Sequence, residues 1–174
     1  MGWKAIKDRY RIGHLVSVHK GKGICIGSGY VHDLIRINPE TRNVEWGNLG
    51  PSTNDHLARY WDEIHQDIQA FWHLVDADDM FDRDLPVFTY EDGAVVQYLC
   101  EEYGWPNVTH DGQMMYDNTF FEKEADARMA GVQDAKAGIQ SLEATVDRAR
   151  QDLAEREGWL AERRSNLAKL LSQA

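Results

Sequence analysis

Val132, Ile139, Val146, Leu153, Leu160 and Leu167 recur at a strict interval of seven. An apolar residue at every seventh position keeps one stripe of an α-helix turned toward a partner helix and winds the pair left-handed. With Val132 at heptad position a, position d is held by Ala135, Leu142, Ala149, Arg156, Arg163 and Leu170, a weaker second row. Small d residues permit close approach, and the two arginines can lay their stems across the seam. The e positions, Lys136, Glu143, Arg150, Glu157 and Arg164, alternate in sign, so an antiparallel pair sets opposite charges against one another. A continuous helix over residues 122–174 is therefore expected, running roughly 75 Å at about 1.5 Å per residue. Its apolar row has three possible destinations: its own domain, a second copy, or a different helix. Self-association is the preferred reading, with Leu142 and Leu170 joining the six a residues in the contact.

The chain has 174 residues and 43% hydrophobic content, enough for one core over residues 1–121 and one appendage. Five of the six tryptophans precede Trp159, which argues against a disordered body. The N-terminus lacks an apolar stretch of the kind a secretory leader needs, and no run approaches a membrane span. The expected location is cytoplasmic, with no membrane partner. Cys25 and Cys100 sit in apolar company, 75 residues apart in the sequence, and read as free buried thiols.

The net charge of −10 is unevenly placed. Residues 1–50 hold eight Lys/Arg against four Asp/Glu, residues 51–118 two against fifteen, and residues 119–174 nine against ten. The middle third is thus strongly acidic; it repels nucleic acid and attracts basic protein surfaces.

Along the body, Trp3, Ile6 and Tyr10 stand at helical spacing. Leu15 to Val18, Ile24 to Ile26, Tyr30 to Ile37 and Val44 to Trp46 read as four short strands separated by glycine-rich or Asn-Pro turns. Ser52-Thr53-Asn54-Asp55 has the pattern of a helix start, and the apolar face from Leu57 to Val75 predicts one helix over residues 54–75 covering the sheet. Hairpins are expected at Glu91-Asp92-Gly93 and at Asp111-Gly112.

Trp3-Lys4-Ala5-Ile6-Lys7 with Tyr10 and His14, Lys22-Gly23-Ile24-Cys25-Ile26-Gly27-Ser28 with His32-Asp33-Leu34-Ile35, and Trp105-Pro106-Asn107-Val108-Thr109-His110-Asp111-Gly112 with Met115 to Phe120 carry a resemblance. Over residues 1–121 the chain is similar to uncharacterised proteins encoded in phage and prophage genomes. The resemblance implies a genetic setting and carries no catalytic residue.

Candidate chemistry is sparse. Gly21, Gly23, Gly27 and Gly29 punctuate strands and lack the Gly-Lys-Ser/Thr ending or the βαβ setting of a phosphate cradle. No paired metal-ligand motif occurs. A metal or small-ligand site would have to be assembled from Cys25, His32, Asp33, His110 and Asp111 by the meeting of two hairpins; no cofactor is expected. Nucleic-acid contact through Lys4, Lys7, Arg9 and Arg11, interleaved with Trp3 and Tyr10 and followed by Lys20, Lys22 and Tyr30, is disfavoured by the small basic excess beside an acidic segment. Asp76, Asp78, Asp79, Asp82 and Asp84 form the densest acidic stretch and are the candidate protein-binding residues.

The sequence therefore predicts an α+β body, with a small curled antiparallel sheet packed on one amphipathic helix, followed by a long coiled-coil helix. The expected role is that of a non-enzymatic phage accessory protein, with anti-defence action as one form of it, that dimerises and binds a host or defence protein through its acidic segment. The alternatives are an enzyme using His32, His110 and Asp111, and a nucleic-acid-binding module.

Overall fold

A computed structural model describes residues 1–47, 49–51 and 55–172. The protein is α+β, with a long C-terminal helix and small antiparallel sheets. Its contacts divide it into two compact units, Met1–Arg128 and Met129–Ala174.

The first unit opens with α1 (Trp3–Arg9) and continues into a sheet of β1 (Leu15–His19), β2 (Gly23–Gly27), β3 (Ile35–Asn38) and β4 (Asn43–Trp46), paired in chain order and antiparallel throughout. Alternation assigns the two faces of this sheet. Val16, Ile24, Ile26, Ile35 and Ile37 point to one side and are buried, each worth about 1.5–3 kcal/mol against exposure. Against them pack Trp3, Ile6, Leu57, Tyr60, Phe71 and Val75 from three helices. The expected single covering helix is two, α2 (Asp55–Gln66) and α3 (Ile68–Asp76). Asp67 breaks the run: it leaves helical geometry at φ −140°, and its carboxylate accepts the Ala70 N–H at 3.0 Å, capping α3. An apolar stripe can thus stay continuous while the helix axis restarts. Except for Asp55, the expected Ser-Thr-Asn-Asp helix start lies outside the described residues.

The third strand is also shorter than its apolar pattern predicted. Residues 30–34 form a loop tied by Ser28, whose Oγ accepts the Tyr30 and Val31 N–H groups and whose own N–H donates to Val31 O at 2.7 Å. This loop folds back on β2 so closely that a Cβ on Gly27 would lie 2.3 Å from the Val31 and His32 carbonyl oxygens. Gly23, at φ 81°, needs glycine for its conformation as well as for its closeness to Ile37 O.

β5 (Leu85–Glu91) and β6 (Ala94–Cys100) form the predicted hairpin, with Asp92 and Gly93 both at positive φ as a two-residue turn demands. β7 (Asn107–Val108) and β8 (Met114–Met115) form the second, much shorter than expected. Its turn docks on the first sheet through Val18 N–H donating to Gly112 O at 2.8 Å.

α4 (Glu124–Leu171) is one uninterrupted helix of 48 residues. Its first turn belongs to the first unit, where Ala127 is fully buried. Among the described residues, no helix is long and apolar enough to cross a membrane.

Candidate functional site

The a-position row of α4 is the most distinctive surface of the protein. Val132, Ile139, Val146, Leu153, Leu160 and Leu167 are 47–57% exposed, and the d residues Leu142 and Leu170 are exposed with them. Isolated apolar residues on a surface need no explanation, but a periodic row along one helix does. Good helix formers and ion pairs at i, i+3 and i, i+4, Arg128 with Glu124, Arg150 with Asp147 and Arg156 with Asp152, support the helix that carries the row.

The acidic candidates divide. Asp76 pairs with Arg42 at 2.6 Å, and Asp79 Oδ1 accepts the Ala5 N–H at 2.8 Å. The Asp79 carboxylate ties this stretch to α1, whereas the Asp76 pair is exposed and contributes little. The loop between them and β5 is anchored by Phe81, which stacks on His110 at 3.7 Å between centroids and lies 5.9 Å from the Trp3 ring. This stretch, whose acidic composition is that of a solvated loop, is therefore partly core, because one aromatic among five aspartates is enough to dock it. Asp76, Asp78, Asp82 and Asp84 are all exposed, and only Asp79 is half-buried. Asp84 stands 3.6 Å from His110 Nδ1, and Asp82 donates its N–H to Glu101.

The polar face of the first sheet carries a second cluster. Ser17, Cys25, Arg36 and Glu45 lie opposite one another in a row across all four strands. Ser17 Oγ is 2.9 Å from His19 Nε2, the His19 ring stacks on His32 at 5.7 Å, and His32 Nε2 meets the Tyr116 hydroxyl at 2.7 Å. That hydroxyl also reaches Gly29 O at 3.0 Å. Asp33 bridges Lys22 and Arg36, each at 2.8 Å.

The chemistry of this cluster is that of a brace. Burial first, then His32 and Lys22, hold His19 below its ordinary value, with Asp33 opposing; the ring is kept neutral. Burial pushes the Cys25 thiol up to about 11, so it stays protonated and is a poor nucleophile at neutral pH. Hydrogen bonds from Lys22 and Arg36 hold the Asp33 carboxyl below its usual range, outweighing burial. Ser17 is 1% exposed, which leaves its hydroxyl out of reach of a substrate.

The five candidate ligands are placed in different environments. Cys25 and Asp33 are on or beside the polar row and His32 closes over it. His110 stacks on Phe81 and has a buried Nε2 with no hydrogen-bond partner, while Asp111 accepts from the Thr109 hydroxyl inside the β7–β8 turn. Among the described residues no group of three or more His, Cys, Asp or Glu side chains is arranged to hold a metal ion. Sequence reasoning missed Ser17, His19, Arg36 and Tyr116, and placed Lys22 only among the basic residues of a nucleic-acid contact. The alternation in Leu15-Val16-Ser17-Val18-His19 could have put Ser17 and His19 on one face, but nothing local announced Tyr116.

A cleft of about 750 Å³ lies beside α2 and α3, lined by Arg9, Arg11, Arg59, Glu63 and Asp67. Its guanidinium groups are partly committed: Arg59 grips Glu63 at 3.1 and 3.2 Å and donates to Arg11 O. Compared with known proteins, the chain matches no family model, no curated protein and no solved structure.

Proposed function

We propose that this protein is a non-enzymatic accessory protein, phage-encoded in origin, that dimerises through α4 and uses its body to bind a host or defence protein. The observation that carries the reading is the solvent-exposed row of a-position residues from Val132 to Leu167. Burying such a row against a second copy removes apolar surface at about 25 cal/mol per Å². The exposed carboxylates of Asp78, Asp82 and Asp84 offer a basic partner a contact that favours orientation and rate of encounter. The resemblance over residues 1–121 supplies the genetic setting.

Light scattering on the full chain tests the first half: the expected mass is twice the 20.0 kDa of one chain. Capture of host proteins by the wild type and by the triple variant Asp78→Lys, Asp82→Lys and Asp84→Lys tests the second. Asp76 and Asp79 are left intact because their carboxylates already have partners within the body. Unchanged capture by the variant would remove the acidic stretch from the reading.

A further inference from the structure

We infer that two copies of α4 pair antiparallel along their whole length, with Glu124 of one level with Leu171 of the partner subunit and Trp159 of each lying over Gly138 of the partner subunit. The inference rests on the self-association proposed above and adds its orientation and register.

A parallel pair sets a against a and d against d. Arg156 would then share a layer with Arg156 of the partner subunit, and Arg163 with Arg163 of the partner subunit. Its flanking g and e positions would bring Asp152 beside Glu157 of the partner subunit, another like-charge contact. An antiparallel pair sets a against d and e against e. Each arginine then faces an aliphatic residue, and its stem can cross the seam while its head stays at the edge. Arg156 is already drawn to the edge by Asp152 at 3.5 Å within its own helix.

The e residues fix the register. With the helix ends level, Lys136 meets the partner's Glu157 and Glu143 meets the partner's Arg150, each contact occurring twice by symmetry. Sliding one helix by a heptad reverses this at every site: Lys136 then meets the partner's Arg164, and Glu143 the partner's Glu157. A slide of two heptads restores opposite charges but leaves about 14 residues of each helix unpaired.

Side-chain volume agrees with the level register. Leu160 faces the partner's Ala135, Leu153 the partner's Leu142, and Val146 the partner's Ala149. At the flanking g positions Trp159, 57% exposed, meets the partner's Gly138, whose missing side chain looks onto open space with no neighbouring atom within 4 Å. A glycine facing an indole gives the ring a flat backbone surface to cover, and a tryptophan carries one of the largest apolar areas of any residue. Two features that are unfavourable or idle in an isolated helix, Gly138 in its interior and Trp159 on its surface, thus acquire one explanation.

The test is the distance between spin labels on the full-length protein, placed on Ser165→Cys or Gln151→Cys, both at outward f positions. Cys25 and Cys100 are fully buried and stay unlabelled. In the level antiparallel pair the two Ser165 labels lie about 55 Å apart and the two Gln151 labels below about 30 Å, from a rise of about 1.5 Å per residue and the width of a two-helix pair. Equal distances of about 20 Å at both sites overturn the orientation. A Ser165 distance of about 45 Å or less, with Gln151 still short, overturns the register. A labelled protein that light scattering finds monomeric overturns the pairing itself and with it the dimer reading.

Discussion

The body and the C-terminal helix use the same aliphatic residues to opposite ends. In the body, Ile6, Ile24, Ile26, Ile35 and Ile37 are completely buried; in α4, Ile139, Leu153 and Leu167 are more than half exposed. The difference is one of dimensionality. A sheet with helices across one face encloses its apolar side chains within a single chain, whereas a lone helix offers a stripe that has no opposing surface of its own. A helix of this kind gains little stability from propensity alone, so its order depends on what covers the stripe. The body buries its aliphatic residues within the chain, and α4 leaves its row exposed.

The largest effect that would break this contrast is the double substitution Val146→Asp and Leu153→Asp. It places charges in the middle of the seam, and the expected outcome is a fall in mass to 20.0 kDa with loss of helical circular dichroism, while the body's denaturant-induced unfolding midpoint is unchanged. A dimer that survives would show that the a row is not the contact.

The converse substitution is Phe71→Ala, which empties a fully buried position beneath the sheet. It should cost the body about 3–5 kcal/mol, read by urea unfolding, and leave the tail's pairing intact wherever the body is still folded.

The charge pattern of α4 gives a smaller, reversible effect. Glu143→Lys turns two attractive contacts into repulsive ones and should raise the dissociation constant about tenfold, and adding Arg150→Glu should restore it. In a parallel pair neither residue faces a charge across the seam, so both variants would bind as the wild type does.

Acid should distinguish the two regions as well. All seven histidines precede Met129. His19 and His14 are held below their ordinary value of 6.5, in both cases chiefly by burial. A base whose folded-state pKa is lowered binds protons more readily when unfolded, so the body keeps its full stability above about pH 6.5 and loses it as the pH falls below that value. The expected result is a lower urea midpoint at about pH 5.5 than at about pH 7.5, less steep in His19→Gln, with the dimer mass the same at both. The smallest effect expected is that of Lys22→Met. It removes one of two cations from Asp33, and because Lys22 is half exposed the change should stay within about 1 kcal/mol.

The legibility of the structure follows how local each signal is. The Asp92-Gly93 turn was readable because positive φ at two successive residues is a property of that dipeptide. The length of α4 was readable because an unbroken heptad needs no knowledge of anything but itself. The division at Asp67 was not, since the apolar stripe continues across it and only a backbone angle and one capping bond mark the break. The acidic stretch misled for a related reason: its composition is that of a solvated loop, yet Phe81 finds His110 and Trp3, residues far away in sequence, and becomes partly core.

The sequence by itself determined the class of fold, the hairpins and the long helix with its seven-residue apolar row, since each is a matter of spacing between near neighbours. The tertiary structure alone decided that Ser17, His19, His32 and Tyr116 form one partly buried brace, that His110 belongs with Phe81, and that Asp79 ties its loop to α1. Those assignments depend on which distant segments meet, and contacts between distant segments are set by the packing of the whole core, which no local spacing encodes.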